Sequence, residues 1–127
     1  MNRRNAREKA FQILFSIDNE SFEPKEAINN VLDEEEVQSD FLTMLILGVH
    51  QNKAEIDEKI TKNLEKWSLS RIATVERTLL RIATFEMFYE LETPYGVAIN
   101  EAVELANVYG DDKSGKFING VLSKMIQ

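Results

Sequence analysis

Apolar residues recur at spacings of three and four along nearly the whole chain. In residues 3–17 the stripe is Ala6, Ala10, Ile13, Leu14 and Ile17, the pattern of an amphipathic helix. Phe22-Glu23-Pro24 ends that unit, and Pro24 suits the first turn of a second helix with Ala27, Ile28, Val31 and Leu32 inward. Asp33-Glu34-Glu35-Glu36 reads as a charged break or the opening of a third helix. Phe41, Leu45, Ile46, Leu47 and Val49 predict a strongly apolar, mostly buried helix, and Ile56, Ile60 and Leu64 another, up to Trp67. Ser68 or Ser70 is placed to cap the longest periodic segment, which runs through Ile72, Val75, Leu79 and Ile82, with Leu80, Ala83 and Met87 widening the stripe. Thr93-Pro94 reads as an N-cap followed by a first-turn proline. Val97, Ala98, Ala102, Leu105, Ala106 and Tyr109 give the next helix, with Gly110 as its C′ residue. Ser114 is placed to cap a last helix through Phe117, Ile118, Val121, Leu122 and Met125. No segment alternates with period two for long enough to be a strand. The pattern predicts an all-α fold of about seven helices in two small bundles, an N-terminal one over about 1–65 and a C-terminal one over about 66–127.

The size, 127 residues, fits one domain with an ordinary core. The absence of cysteine removes disulfides, thiolate metal sites and a cysteine nucleophile. With no secretory segment and no apolar run long enough to cross a bilayer, the expected setting is soluble and cytoplasmic. The single His50 follows an apolar run and has no partner pattern for catalysis or metal, so a helix-end structural role is expected. The acidic run at 33–36 lacks the glycine-punctuated alternation of a calcium loop. Gly110-Asp-Asp-Lys-Ser-Gly115-Lys116 imitates a phosphate loop. However, Phe117 stands where a magnesium-holding hydroxyl is needed, and a helix rather than a strand precedes it.

Net charge, −7, argues against a polyanionic partner until its distribution is considered. Arg3, Arg4, Arg7 and Lys9 against Glu8 leave residues 1–10 at +3, and Arg71, Arg77 and Arg81 against Glu76 leave residues 71–81 at +2. The acids concentrate in residues 18–40, at −8. Such segregation lets one face bind an anion while the whole molecule is negative. Arg3 with Arg7, and Arg77 with Arg81, are spaced i,i+4, so each pair shares a helix face. That face is either a basic patch for nucleic acid or a solvated one with local ion pairs. Phe15, Tyr109 and Phe117 are either stacking surfaces for unpaired bases or core. Taken alone, the residues predict a small helical protein without an enzymatic centre and with two basic patches.

Four blocks carry a resemblance. They are Arg3-Arg4-Asn-Ala-Arg7-Glu8-Lys-Ala-Phe-Gln-Ile-Leu-Phe15, then Val75-Glu76-Arg77-Thr-Leu-Leu80-Arg81-Ile82-Ala83, and then Pro94-Tyr95-Gly-Val-Ala-Ile-Asn100-Glu101-Ala102-Val-Glu104-Leu105-Ala106 with Ser114-Gly-Lys116-Phe117-Ile-Asn119-Gly120-Val121-Leu122. Together they resemble the NusB family of bacterial transcription antitermination factors across essentially the whole chain. The resemblance implies no catalysis and no cofactor. It implies pairing with NusE, a small-subunit ribosomal protein, and joint binding of the boxA element of ribosomal RNA leaders. It further implies a larger assembly with NusA, NusG and RNA polymerase, and homodimers that mask the RNA face in some members. It places RNA contacts on Arg3, Arg4, Arg7, Arg77, Arg81 and Lys116, and NusE contacts on Phe15, Glu76, Lys113 and Phe117. Asn119 and Gly120 are expected to be structural, the asparagine satisfying a backbone group and the glycine admitting a neighbouring helix. A protein-only adaptor with little RNA affinity is the competing reading.

Overall fold

The computed structural model describes residues 1–20, 23–32, 39–66, 68–89 and 91–127. Among them are seven α-helices and no strand: α1 (Arg3–Glu20), α2 (Pro24–Val31), α3 (Asp40–Gln51), α4 (Lys53–Thr61), α5 (Thr74–Phe88), α6 (Tyr95–Tyr109) and α7 (Ser114–Lys124), with a 3-10 turn at Leu69–Arg71. Phe22, Asp33 to Glu36 and Trp67, named above as a break, an acidic run and a helix end, lie outside the described residues.

Helix α5 is the centre. It packs against α1, α3, α4, α6 and α7, and every residue from Thr78 to Met87 is buried. One apolar cluster joins Ile13 of α1, Leu42 and Leu45 of α3, Ile56 and Ile60 of α4, Leu79 and Leu80 of α5 and Ile118 and Leu122 of α7. This core crosses the connector near residue 65 without a break. At α3 the fit is close: a Cβ on Gly48 would collide with the tip of the Phe85 ring, which also stacks on Tyr89 at 5.0 Å.

Helix ends depart from expectation. Ala73 is the N-cap of α5, while Ser68 and Ser70 bond each other at 3.2 Å beside the intervening 3-10 turn. The longest helix is α1, not α5. Pro94, not Thr93, caps α6, because the Thr93 hydroxyl is drawn inward to donate to Glu86 at 3.2 Å. Gly110 ends α6 with φ −101°, outside the left-handed region, and is small because a Cβ would press on Ser114 Oγ. Ser114 is the first residue of α7 rather than its cap. The turn before it is held by Asp111, whose Oδ1 accepts from the Lys113 N–H at 2.8 Å and from Ser114 Oγ at 3.2 Å. With α6 occupying residues 95–109, the phosphate-loop look-alike is a helix–turn–helix joint.

Candidate nucleic-acid interface

The two arginine pairs share helix faces as their spacing requires, and of the two readings left open, ion pairing rather than a solvent-facing patch describes Arg7, Arg77 and Arg81. Arg7 is 5% exposed. Its Nε donates to Glu86 Oε2 at 2.9 Å and its Nη2 to Oε1 at 2.8 Å, and Nη1 reaches Glu101 at 3.4 Å. Glu86 is 2% exposed and its carboxylate also receives the Thr93 hydroxyl. Arg81, 8% exposed, grips Asp57 bidentately at 2.8 and 3.0 Å. Arg77 donates to Asp18 at 3.1 Å, and Arg81 approaches the same oxygen at 3.5 Å. Arg7, Arg77 and Arg81, expected from the resemblance to contact RNA, are each engaged with a carboxylate of another helix and tie the helices together. Arg77, Arg7 and Arg81 find their partners 59, 79 and 24 residues away in sequence. In a site with little water, a guanidinium already in such a bidentate pair has few donors left to offer.

The pairing also fixes geometry. Arg7 meets Glu86 and Asp18 meets Arg77, so α1 runs antiparallel to α5 and is fastened near both ends. Burial disfavours the charged Asp18 carboxylate. The Arg77 hydrogen bond and the charges of Arg81, Arg77 and Lys53 prevail, holding its pKa below the ordinary 3.8. A carboxyl more acidic folded than unfolded stabilises fully above its unfolded pKa and loses that contribution as pH falls through the folded one. Asp18→Asn should accordingly lower Tm at about pH 7, and its deficit against the parent should shrink below about pH 4. Thermal melts across that range check this.

The cations left at the surface are fewer. Arg4 is 65% exposed at its side chain and rests on Glu101 and Glu104 of α6, at 3.3 and 3.2 Å. Arg3 is exposed and lies 4.5 Å from the centre of the Phe41 ring, a cation–π contact that also includes Arg7 at 5.2 Å. Lys113 and Lys116 are exposed at the start of α7, and Phe117 beside them is half-buried. Lys116 and Phe117 share one groove with Leu64 and Lys66. Phe15 is half-buried against Phe11, ring centres 5.7 Å apart. Glu76 is half-buried in the first turn of α5.

Tyr109 is committed to the α1–α6 contact. Its ring lies 4.7 Å from that of Phe11, and its hydroxyl donates to Glu8 at 2.9 Å and accepts from Gln12 at 2.8 Å. Burial and the Glu8 carboxylate raise its pKa, against the Gln12 bond. His50 stands exposed in the last turn of α3. Asn119 and Gly120 are not the structural pair expected. Both are exposed, the Asn119 carboxamide makes no hydrogen bond among the described residues, and a Cβ on Gly120 would meet nothing.

Comparison with known proteins matches residues 4–127 to the NusB family. The transcription antitermination protein NusB of Oceanobacillus iheyensis is 54% identical over 126 residues, covering 99% of each chain. NusB of T. maritima superposes with a TM-score of 0.90 at 36% identity, over 98% of this chain and 90% of that one. A chain from a crystal structure of antitermination factors NusB and NusE with double-stranded RNA gives 0.87 at 31% identity, over 97% and 94%. A helical scaffold with exposed basic ends, matched from end to end at such identity, places this chain in the NusB family of transcription antitermination factors, proteins that regulate and do not catalyse.

Proposed function

We propose that this protein pairs with NusE, binds boxA RNA in ribosomal RNA leader transcripts and so suppresses premature termination, in a cytoplasmic assembly with NusA, NusG and RNA polymerase. The observation that carries this reading is the survival of Arg3, Arg4 and Lys116 as exposed cations on a chain of net charge −7 whose other site arginines are consumed internally. It is supported by the similarity to a NusB chain solved with NusE and double-stranded RNA. Arg3, Arg4 and Lys116 would neutralise phosphates and release counterions. Phe15, Glu76 and Lys113 would face NusE, with Phe117 at the seam where that partner meets the RNA. Arg7, Arg77 and Arg81 would hold the helices that present them.

Fluorescence anisotropy with labelled boxA RNA, with and without NusE and at several salt concentrations, tests this. Arg4→Ala, at an exposed site, should leave the melt unchanged, weaken binding and flatten the plot of log K against log salt by up to about 0.7. A folded parent that binds no RNA with or without NusE overturns the reading. The negative net charge favours the second reading, a protein-only adaptor, which predicts a nearly flat salt plot.

A further inference from the structure

Two depressions flank α7 and meet at Lys116. One, of about 340 Å³, lies between α7 and the connector 63–66. Its wall is apolar, from Leu64, Phe117 and Val121, and Lys66, Lys116 and Lys124 border it. Lys116, Gly120 and Lys124 follow at i, i+4 and i+8, so they stand in one row with the lysines about 12 Å apart along the axis. Gly120 leaves the middle of that row bare. Among the described residues Glu65 is the single carboxylate in its lining, and it is paired with Lys124.

The second depression, of about 440 Å³, lies between α6 and α7, and among the described residues its lining carries no charge except Lys116. Its polar groups are the carboxamides of Asn100 and Asn119, both exposed and without a hydrogen-bond partner among the described residues. A carboxamide carries two donors and an acceptor side by side, which matches the edge of a nucleobase. Arg4 rests on Glu104, one turn along α6 from Asn100, so the strip continues to the start of α1.

We infer that a single-stranded RNA crosses α7 at Lys116, with a base edge read by Asn100 and Asn119 on one side and the next nucleotide held between Lys66 and Lys124 on the other. The inference rests on the RNA-binding reading above and adds four residues to it. An acidic peptide would satisfy the lysines and its backbone could bond the amides, so the choice of RNA follows the RNA-binding reading on which this inference rests. RNA satisfies both, because phosphates position a strand and base edges give it sequence.

The two sides are separable with the full-length chain and fluorescent boxA RNA, using scrambled RNA as the reference. Asn100→Ala with Asn119→Ala should cut the preference for boxA over scrambled RNA by about tenfold and leave the salt slope unchanged. Lys66→Ala with Lys124→Ala should weaken both RNAs alike and flatten the slope by about 0.7 per lysine engaged. Glu65→Gln, which releases Lys124, should tighten binding of both RNAs several-fold, a gain that misfolding does not imitate. A parent that binds boxA RNA while either double variant matches it overturns the crossing and leaves the RNA-binding reading intact. A folded parent that binds no RNA overturns both.

Discussion

Glu86→Ala is expected to cost about 3–5 kcal/mol of folding stability, because it strands the Arg7 guanidinium inside the protein. Arg7 loses three of its four hydrogen bonds, and Glu101, at 3.4 Å, and the Phe41 ring are what remain to it. The Thr93 hydroxyl loses its acceptor as well. In a domain of this size such a loss lowers Tm by about 10–20 °C. The contrast that identifies the cause is the double variant Arg7→Met with Glu86→Leu. Removing both charges of a buried pair in favour of apolar side chains of similar volume is often neutral or stabilising. The double variant should therefore melt well above the single one, by far-ultraviolet circular dichroism. A double variant as unstable as Glu86→Ala would show that the cost lies in packing and not in the unpaired charge.

The second large effect comes from a glycine. On an exposed helix, glycine to alanine gains about 1 kcal/mol in helix propensity. Gly48→Ala should reverse that sign and destabilise by about 1–3 kcal/mol, because its methyl group occupies the space of the Phe85 ring. Phe85 has no free direction to retreat, being 6% exposed and stacked on Tyr89. Adding Phe85→Leu removes the collision. In a double-mutant cycle the two substitutions should then be strongly coupled, with Gly48→Ala nearly harmless once Phe85→Leu is in place. Additive losses from urea titrations would refute the contact as the cause.

These two sites mark where the sequence is legible and where it is not. The helices are legible because each apolar stripe recurs at 3–4 spacing: Ala6, Ala10, Ile13 and Leu14 in α1 and Ala98, Ala102 and Ala106 in α6 are buried as the pattern requires. In α5 the periodicity finds the apolar stripe but leaves the intervening polar positions outside. The structure buries Thr78, Arg81, Thr84 and Glu86 together with Leu79 and Ile82, because α5 has neighbours on all sides. Nothing local to Arg81 announces Asp57, and nothing local to Arg7 announces Glu86, since such partners become neighbours only through the fold. One signal is available: a glutamate within the apolar run from Leu79 to Met87 is costly to bury unless a cation meets it. Three helix starts differ from their local pattern for a related reason. Thr93 is drawn to Glu86, the Ser68–Ser70 pair to each other, and Ser114 to Asp111, so tertiary or turn hydrogen bonds displace local capping. On the candidate interface, Arg3, Arg4 and Lys116 are legible as charges. The amides of Asn100 and Asn119 are not, because exposure and the want of a partner are properties of the folded surface.

Arg4 leans on two carboxylates of α6, and this has an ionic consequence for any polyanion that takes it. A phosphate competes with Glu101 and Glu104 for this guanidinium and can draw it away from them. The salt that a phosphate surrenders on binding is then partly recaptured by the carboxylates left behind. An ion count taken from titration would register fewer cations than the number of arginines that move. Small monovalent and divalent cations, by settling on the vacated α6 carboxylates, would oppose the return of Arg4 and prolong the bound state, even as they weaken the encounter that precedes it.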